Sequence, residues 1–177
     1  NFTCLLMTII LLLPLPKLKP SYSKILYSKE GTLLAASISD EQQWCFPLDG
    51  AIPEKLKKCI VTYEDEYMDW HPGINPVAVI KSLVLNIRYG KVKRGASTLS
   101  MQVMRMKNKH AQRSLINKIR ETLGAIKYSL LYADDSILRE WCEIAPFGGN
   151  TIGIKAASLR YFGRSLDKLS WSEYAML

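Results

Sequence analysis

Residues 63–73 read YEDEYMDWHPG, and four carboxylates (Glu64, Asp65, Glu66 and Asp69) crowd this short stretch. The chain around them is basic: its 177 residues carry 24 Lys and Arg against 16 Asp and Glu, a formal charge of +8. Upstream, Pro53 stands in a favourable first-turn position, and EKLKKCIV continues a helical pattern into the acids. Downstream, His71-Pro72-Gly73 ends it. A pI near 9.3 implies an anionic partner, whether nucleic acid, an acidic lipid surface or a phosphorylated substrate. The acids must therefore have a local purpose.

Working outward, Asn75-Pro76 gives an N-cap followed by an N1 proline and opens VAVIKSLVLNIRYG. Its apolar residues are dense enough to predict a buried helix that Gly90 ends. The next segment, GKVKRGASTLSMQVMRMKNKHAQR, differs in kind. Gly90 and Gly95 flank Lys91, Lys93 and Arg94, and Ser97 and Thr98 then introduce a helix that carries Gln102 and Arg105 one turn apart. Such a loop can hold an anion; taken alone it reads first as a solvated surface loop before a capped helix.

Leu115, Ile119, Leu123, Ile126 and Leu130 recur at helical spacing and predict a helix over roughly residues 113–132. Lys118 and Glu121 fall together on another face, where an isolated Lys-x-x-Glu is an exposed ion pair of about a few tenths of a kcal/mol. Asp134 and Asp135 begin SILREWCEI, suiting the helix dipole. Pro146, Gly148, Gly149 and Gly153 then imply a tight backbone passage into IKAASLRYFG. Ser170 and Glu173 have capping-box spacing for a last helix.

The N-terminal residues FTCLLMTIILLLPLP carry no charge. As a helix residues 2–16 would reach roughly 22 Å, short of the ~30 Å hydrocarbon core, so they read as the tail of an uncleaved anchor. A buried core helix or a cleaved signal are the alternatives, although KLKPSYSK follows where a signal would carry a small-residue cleavage site. KILYSKEGTLLAASI predicts a β-hairpin about Glu30-Gly31. Cys4, Cys45, Cys59 and Cys142 are scattered, with neither zinc spacing nor a readable disulfide framework. The expected organisation is a partial transmembrane anchor over 1–16, a juxtamembrane connector over 17–51, and one mainly helical catalytic domain over 52–177, truncated at its C-terminus. No P-loop or dinucleotide fingerprint appears.

These pieces resemble, in order and spacing, the family 51 glycosyltransferases, the peptidoglycan glycosyltransferase domains of class A penicillin-binding proteins. EDEYMDWHPG resembles the first motif, GASTLSMQVMR the second, KIRE the third, ILREWCEIAPFGGNTIGIKAAS the fourth and LSWSEYAML the last. APFGGN and GASTLSMQVMR look most like the 1C branch. The resemblance implies a lysozyme-like helical fold, and an enzyme that polymerises lipid II into glycan strands with inversion and release of polyprenyl pyrophosphate. It implies Glu64 as general base and Glu121 as a second carboxylate assisting the departing phosphate, directly or through Mg or Mn. By the same resemblance Lys118 and Arg105 face the pyrophosphate, while Ser97, Thr98 and Gln102 hydrogen-bond phosphate or sugar. Asp65 and His71 organise the loop. No organic cofactor is implied. The implied partners are lipid II, the growing strand, the membrane and other cell-wall synthesis proteins, with no nucleic acid. The implied location is the bacterial inner membrane, single-pass, with the catalytic domain on the periplasmic side.

The chain departs from the family pattern at several places. Arg105 replaces a lysine, Tyr67 a phenylalanine, Tyr128-Ser129 a Leu-Glu, and Cys142-Glu143 a Leu-Asn. None removes a group of the implied chemistry, but those at Tyr128, Ser129, Cys142 and Glu143 leave a weakened enzyme acting as a substrate-binding scaffold as an alternative. A lysozyme-like hydrolase with a similar Glu is another, and it has little use for phosphate-binding cations. A nonenzymatic nucleic-acid or membrane module rests on charge alone, without a reading element.

Overall fold

A computed structural model describes residues 8, 10–17, 19–93, 95–108 and 114–177. Residues 1–7 and 9 of the expected anchor lie outside them, as do Cys4, Arg94 and Arg113. The helices are α1 (Glu54–Glu64), α2 (Pro76–Tyr89), α3 (Leu99–Lys107), α4 (Leu115–Leu131), α5 (Asp134–Ile144), α6 (Ile154–Phe162) and α7 (Trp171–Met176). The strands are β1 (Lys24–Tyr27), β2 (Leu33–Ser37), β3 (Trp44–Cys45) and β4 (Thr151–Ile152). The mainly helical class is therefore observed. The chain forms two compact units, residues 1–17 with 61–137 and residues 18–60 with 138–177.

In the first unit, helix ends follow the chemistry of their residues. Asn75 caps α2, its Oδ1 accepting from Ala78 N at 2.8 Å, and Gly90 closes the helix in the left-handed region at φ 61°. Thr98 caps α3 and Ser114 caps α4. The core gathers Met68, Leu99, Met101, Val103, Met104, Ala125 and Tyr128. Gly124 lets α4 approach α3 closely, since a Cβ there would stand 3.3 Å from Met104 Sδ. The Ser100 and Ser129 hydroxyls share a hydrogen bond of 2.8 Å, and Lys107 Nζ lies 4.7 Å from the centre of the Tyr128 ring. The departures at 128 and 129 thus fasten one helix to the other.

One expectation needs correction in this unit. The apolar helix α2 is not buried: Val77, Ile80, Leu83, Val84 and Ile87 are all exposed, and Ser82 is its buried residue. Density of apolar residues signals an apolar neighbour without saying that the neighbour is protein. On α4 the apolar stripe that marks the helix is not its most buried face: Leu115, Ile119 and Leu130 are exposed and Leu123 and Ile126 half-buried, while Gly124, Ala125 and Tyr128 are buried. Small residues let helices approach, so the inward face is the one that holds Glu121, Ala125 and Tyr128. Among the described residues no helix is long and apolar enough to cross a membrane.

In the second unit β1 and β2 form the expected antiparallel hairpin, with Lys24 opposite Ser37 and an irregularity after Leu26. β3 pairs in parallel with β4, Trp44 opposite Thr151. Gly153 adopts φ +83° where a Cβ would meet Glu143 O at 2.8 Å, which explains the glycine at this passage. The Ser170–Glu173 capping box is present in full on α7. Cys142 is fully buried, and Glu143 accepts from Tyr22 Oη and lies 3.8 Å from Arg139 Nε. Arg139 in turn donates to the Leu48 and Gly50 carbonyls. Cys142-Glu143 is therefore part of a packed and hydrogen-bonded framework.

Candidate active site

Helix α1 ends at Glu64, which leaves that carboxylate half-buried at the point where the chain turns into the 65–73 loop. Asp65 is 5% exposed and fully engaged: Oδ2 accepts from Leu99 N at 3.0 Å, and Oδ1 lies 2.9 Å from His71 Nε2. One carboxylate thus joins the start of α3 to the far end of the loop. Thr98 completes the fastening, since Oγ1 donates to Gly73 O at 2.7 Å and accepts from Met101 N at 3.2 Å. Gly73 is required there, because at φ +80° a Cβ would lie 2.3 Å from Ala125 O. Asp65 and His71, expected to organise the loop, are the pair that meets across it. His71 Nδ1 is buried without a hydrogen-bond partner among the described residues. Nearby, burial and then the charge of Asp69 push the Asp134 carboxyl above its ordinary range, while His71 opposes them.

The fastened loop places Glu64 against α3, and Gln102 Nε2 donates to Glu64 Oε2 at 2.7 Å. The two belong to a polar cleft of about 470 Å³, whose walls also present Ser97, Arg105, Lys81 and Lys93. Tyr63, Glu66 and Tyr67 stand at its acidic side. The carboxylates of the lining come from one segment, residues 64–66, and the cations Lys81, Lys93 and Arg105 from three others, which suits a carboxylate acting beside an anionic group.

Lys118 and Glu121 do not themselves line this cleft. They attach to it through Ser97, whose Oγ accepts from Lys118 Nζ at 2.9 Å, while Lys118 Nζ also donates to Glu121 Oε2 at 3.3 Å. Glu121 is well covered, with its side chain 11% exposed, whereas Lys118 is 44% exposed. Of the residues expected to touch substrate, Thr98 has its hydroxyl committed on both sides, and Gln102 is turned to Glu64. The sequence reading missed Lys81. Its signal was legible: it is a lone cation inside the apolar run VAVIKSLVLNI.

As a metal ligand, Glu121 stands without a preformed cluster; no group of three or more His, Cys, Asp or Glu able to hold a metal occurs among the described residues. A single carboxylate fits only a hard cation, Mg or Mn, that takes most of its oxygens from substrate phosphates and water.

Residues 30–177 match the family described as Transglycosylase. The match begins within the hairpin, upstream of the domain start expected from the motifs. The chain is 34% identical over 166 residues to penicillin-binding protein 1C of Escherichia coli (strain K12), covering 93% of this chain and 21% of that protein. It is 31% identical over 169 residues to penicillin-binding protein 1A of Aquifex aeolicus (strain VF5), covering 93% of this chain and 23% of that protein. Against penicillin-binding protein 1A of Escherichia coli (strain K12) it is 30% identical over 152 residues, covering 86% and 18% respectively. The chain spans about a fifth of the length of these relatives. A family match running from the hairpin to the last residue, over the same residues that build the cleft, means that this chain belongs to the transglycosylase family.

Proposed function

We propose that the chain is a peptidoglycan glycosyltransferase that polymerises lipid II. The observation that carries the reading is the pairing of one oriented carboxylate, Glu64 held by Gln102, with a cation-walled cleft. Glu64 takes the proton of the acceptor sugar's 4-hydroxyl as that oxygen bonds to the donor's anomeric carbon. The bond from that carbon to the pyrophosphate breaks on the opposite face, so configuration inverts and polyprenyl pyrophosphate departs. Arg105 receives the charge that develops on the leaving group, with Lys118 beside it through Ser97 and held in place by Glu121. Glu121 is the residue that would hold a Mg or Mn ion, whose charge would supply further neutralisation there. A hydrolase would leave these cations without work, because water attack on a glycan releases no phosphate.

The substrate's polyprenyl tail places the site at a bilayer. The exposed apolar face of α2 supports that placement, as does the charge-free N-terminal stretch read from sequence as an anchor. The periplasmic side of the inner membrane, where such strands are built, is the location that follows. Glu64→Gln tests the function: with labelled lipid II we expect loss of strand synthesis by at least ~10²-fold and an unchanged thermal transition. Normal strand length and rate in that variant would remove the assignment.

A further inference from the structure

The second unit holds an apolar groove of about 450 Å³ that the glycosyl transfer does not use. The residues lining it all belong to that unit, whereas those lining the catalytic cleft belong to the first. Strand β2 contributes Leu33 and Ala36, β3 and the residue after it contribute Trp44 and Phe46, and α6 contributes Leu159 and Arg160. Phe46 is buried, and Trp44 meets it edge-on with ring centres 6.4 Å apart, which gives the groove an aromatic wall. Arg160 is the single charged residue of the lining. Its Nη1 donates to Asn150 Oδ1 at 2.9 Å and to Thr151 Oγ1 at 3.1 Å, so neutral oxygens orient the guanidinium without neutralising it. Other cations of the unit are differently placed: Lys155 pairs with Asp49, Arg139 with Glu143 and Arg164 with Glu173. Arg160 has no carboxylate partner among the described residues. An oriented guanidinium at an apolar groove complements a carboxylate carried beside an apolar group.

The strand that borders the groove narrows the choice of ligand. The sheet of β1 and β2 has two strands, so one side of β2 is open to a further backbone. Its sequence, LLAAS, has neither charge nor proline, the residues that commonly guard such an edge. Leu34, passed over where the register shifts, is 61% exposed and adds apolar surface to the strand. A lipid carboxylate could use the groove and Arg160, but it would leave the N–H and C=O groups of β2 to water. An extended peptide engages all three. We propose that this groove docks an extended segment of a partner protein that adds to the open edge of β2. The segment sets an apolar side chain against Trp44 and Phe46 and presents an Asp or Glu carboxylate to Arg160. The surface takes part in no step of the glycosyl transfer, and the inference stands apart from that reading.

The experiment selects heptapeptides from a random display library against the full chain in detergent, then measures the affinity of the enriched peptides, synthesised and labelled, by fluorescence anisotropy. The enriched peptides should carry an Asp or Glu beside a branched or aromatic residue. Arg160→Gln should weaken their binding about tenfold, the loss of one charge-assisted contact. Lys168→Gln, which removes an exposed cation outside the groove, should change it less than about twofold. Hydrogen exchange on the wild-type chain gives a readout that needs no variant. Saturating peptide should slow the amides of residues 33–37 and leave those of residues 95–105 unchanged. No enrichment, enrichment without an acidic preference, equal losses in the two variants, or protection confined to residues 95–105 would overturn the proposal. Protection of residues 33–37 that grows with protein concentration in the absence of peptide would also overturn it, by giving the edge to a second copy. The same protection from phosphatidylglycerol vesicles in place of peptide would give the groove to a bilayer and overturn it too.

Discussion

At the scale of single residues the site is a hierarchy of fastening. Asp65 and Thr98 spend their polar atoms on the chain itself, and Gln102 is the side chain that holds Glu64 among the described residues. Resemblance assigned Gln102 to substrate, and the geometry gives it a different task, which kinetics can separate. Gln102→Ala should lower kcat for lipid II by about tenfold to a hundredfold, the worth of a hydrogen bond to a charged group, with little change in KM. A raised KM at constant kcat would instead return Gln102 to substrate binding. The cysteines offer a second check at this scale. Burial pushes the Cys142 thiol up to about 12, and its side chain is fully covered. Cys59 is half-buried. Because thiolate is the reactive form, iodoacetamide near neutral pH should modify Cys59 in the native protein and spare Cys142 until denaturant is added, as peptide mass spectrometry would read.

At the scale of elements, caps and turns were legible because their chemistry is local. Asn75-Pro76, Gly90 and the Ser170–Glu173 box each act within four residues, and each is realised. The orientation of α4 was not legible by the same means. Counting apolar residues selected a stripe of Leu and Ile, whereas the helix packs through Gly124, Ala125 and Tyr128, because close approach to α3 rewards small side chains and one well-placed ring. The Lys118–Glu121 pair, set aside by that count as pointing elsewhere, lies next to the packed face and reaches Ser97. The contact of Gly73 with α4 makes the coupling between loop and helix testable. Gly73→Ala must relax φ +80° and clear a carbonyl that its Cβ would approach to 2.3 Å. We expect a loss of about 3 kcal/mol in chemical denaturation, together with reduced turnover, because the backbone shift would move the loop that begins at Glu64. Wild-type stability in this variant would show that the loop is free of α4.

At the scale of the whole chain, charge and hydropathy carry different information. The +8 formal charge pointed to an anionic partner, and the cleft concentrates part of that charge beside Glu64. The apolar density of α2 was taken as evidence of burial in protein. Its exposed Val, Ile and Leu instead call for a hydrophobic neighbour that amino-acid composition cannot name. A bilayer is the neighbour consistent with a polyprenyl-linked substrate, and it makes a prediction that separates membrane contact from folding. Ile80 and Ile87 are 62% and 72% exposed, so replacing both with Asn removes little intramolecular packing. Each change removes roughly 2 kcal/mol of apolar transfer energy if the side chain enters lipid. The double variant should therefore keep its thermal transition in detergent, yet polymerise lipid II in vesicles at least about tenfold more slowly, with activity recovering on a substrate whose shortened tail makes it soluble. If vesicle and soluble substrates were affected alike, α2 would be meeting protein, and the apolar face would belong to an interface with another chain.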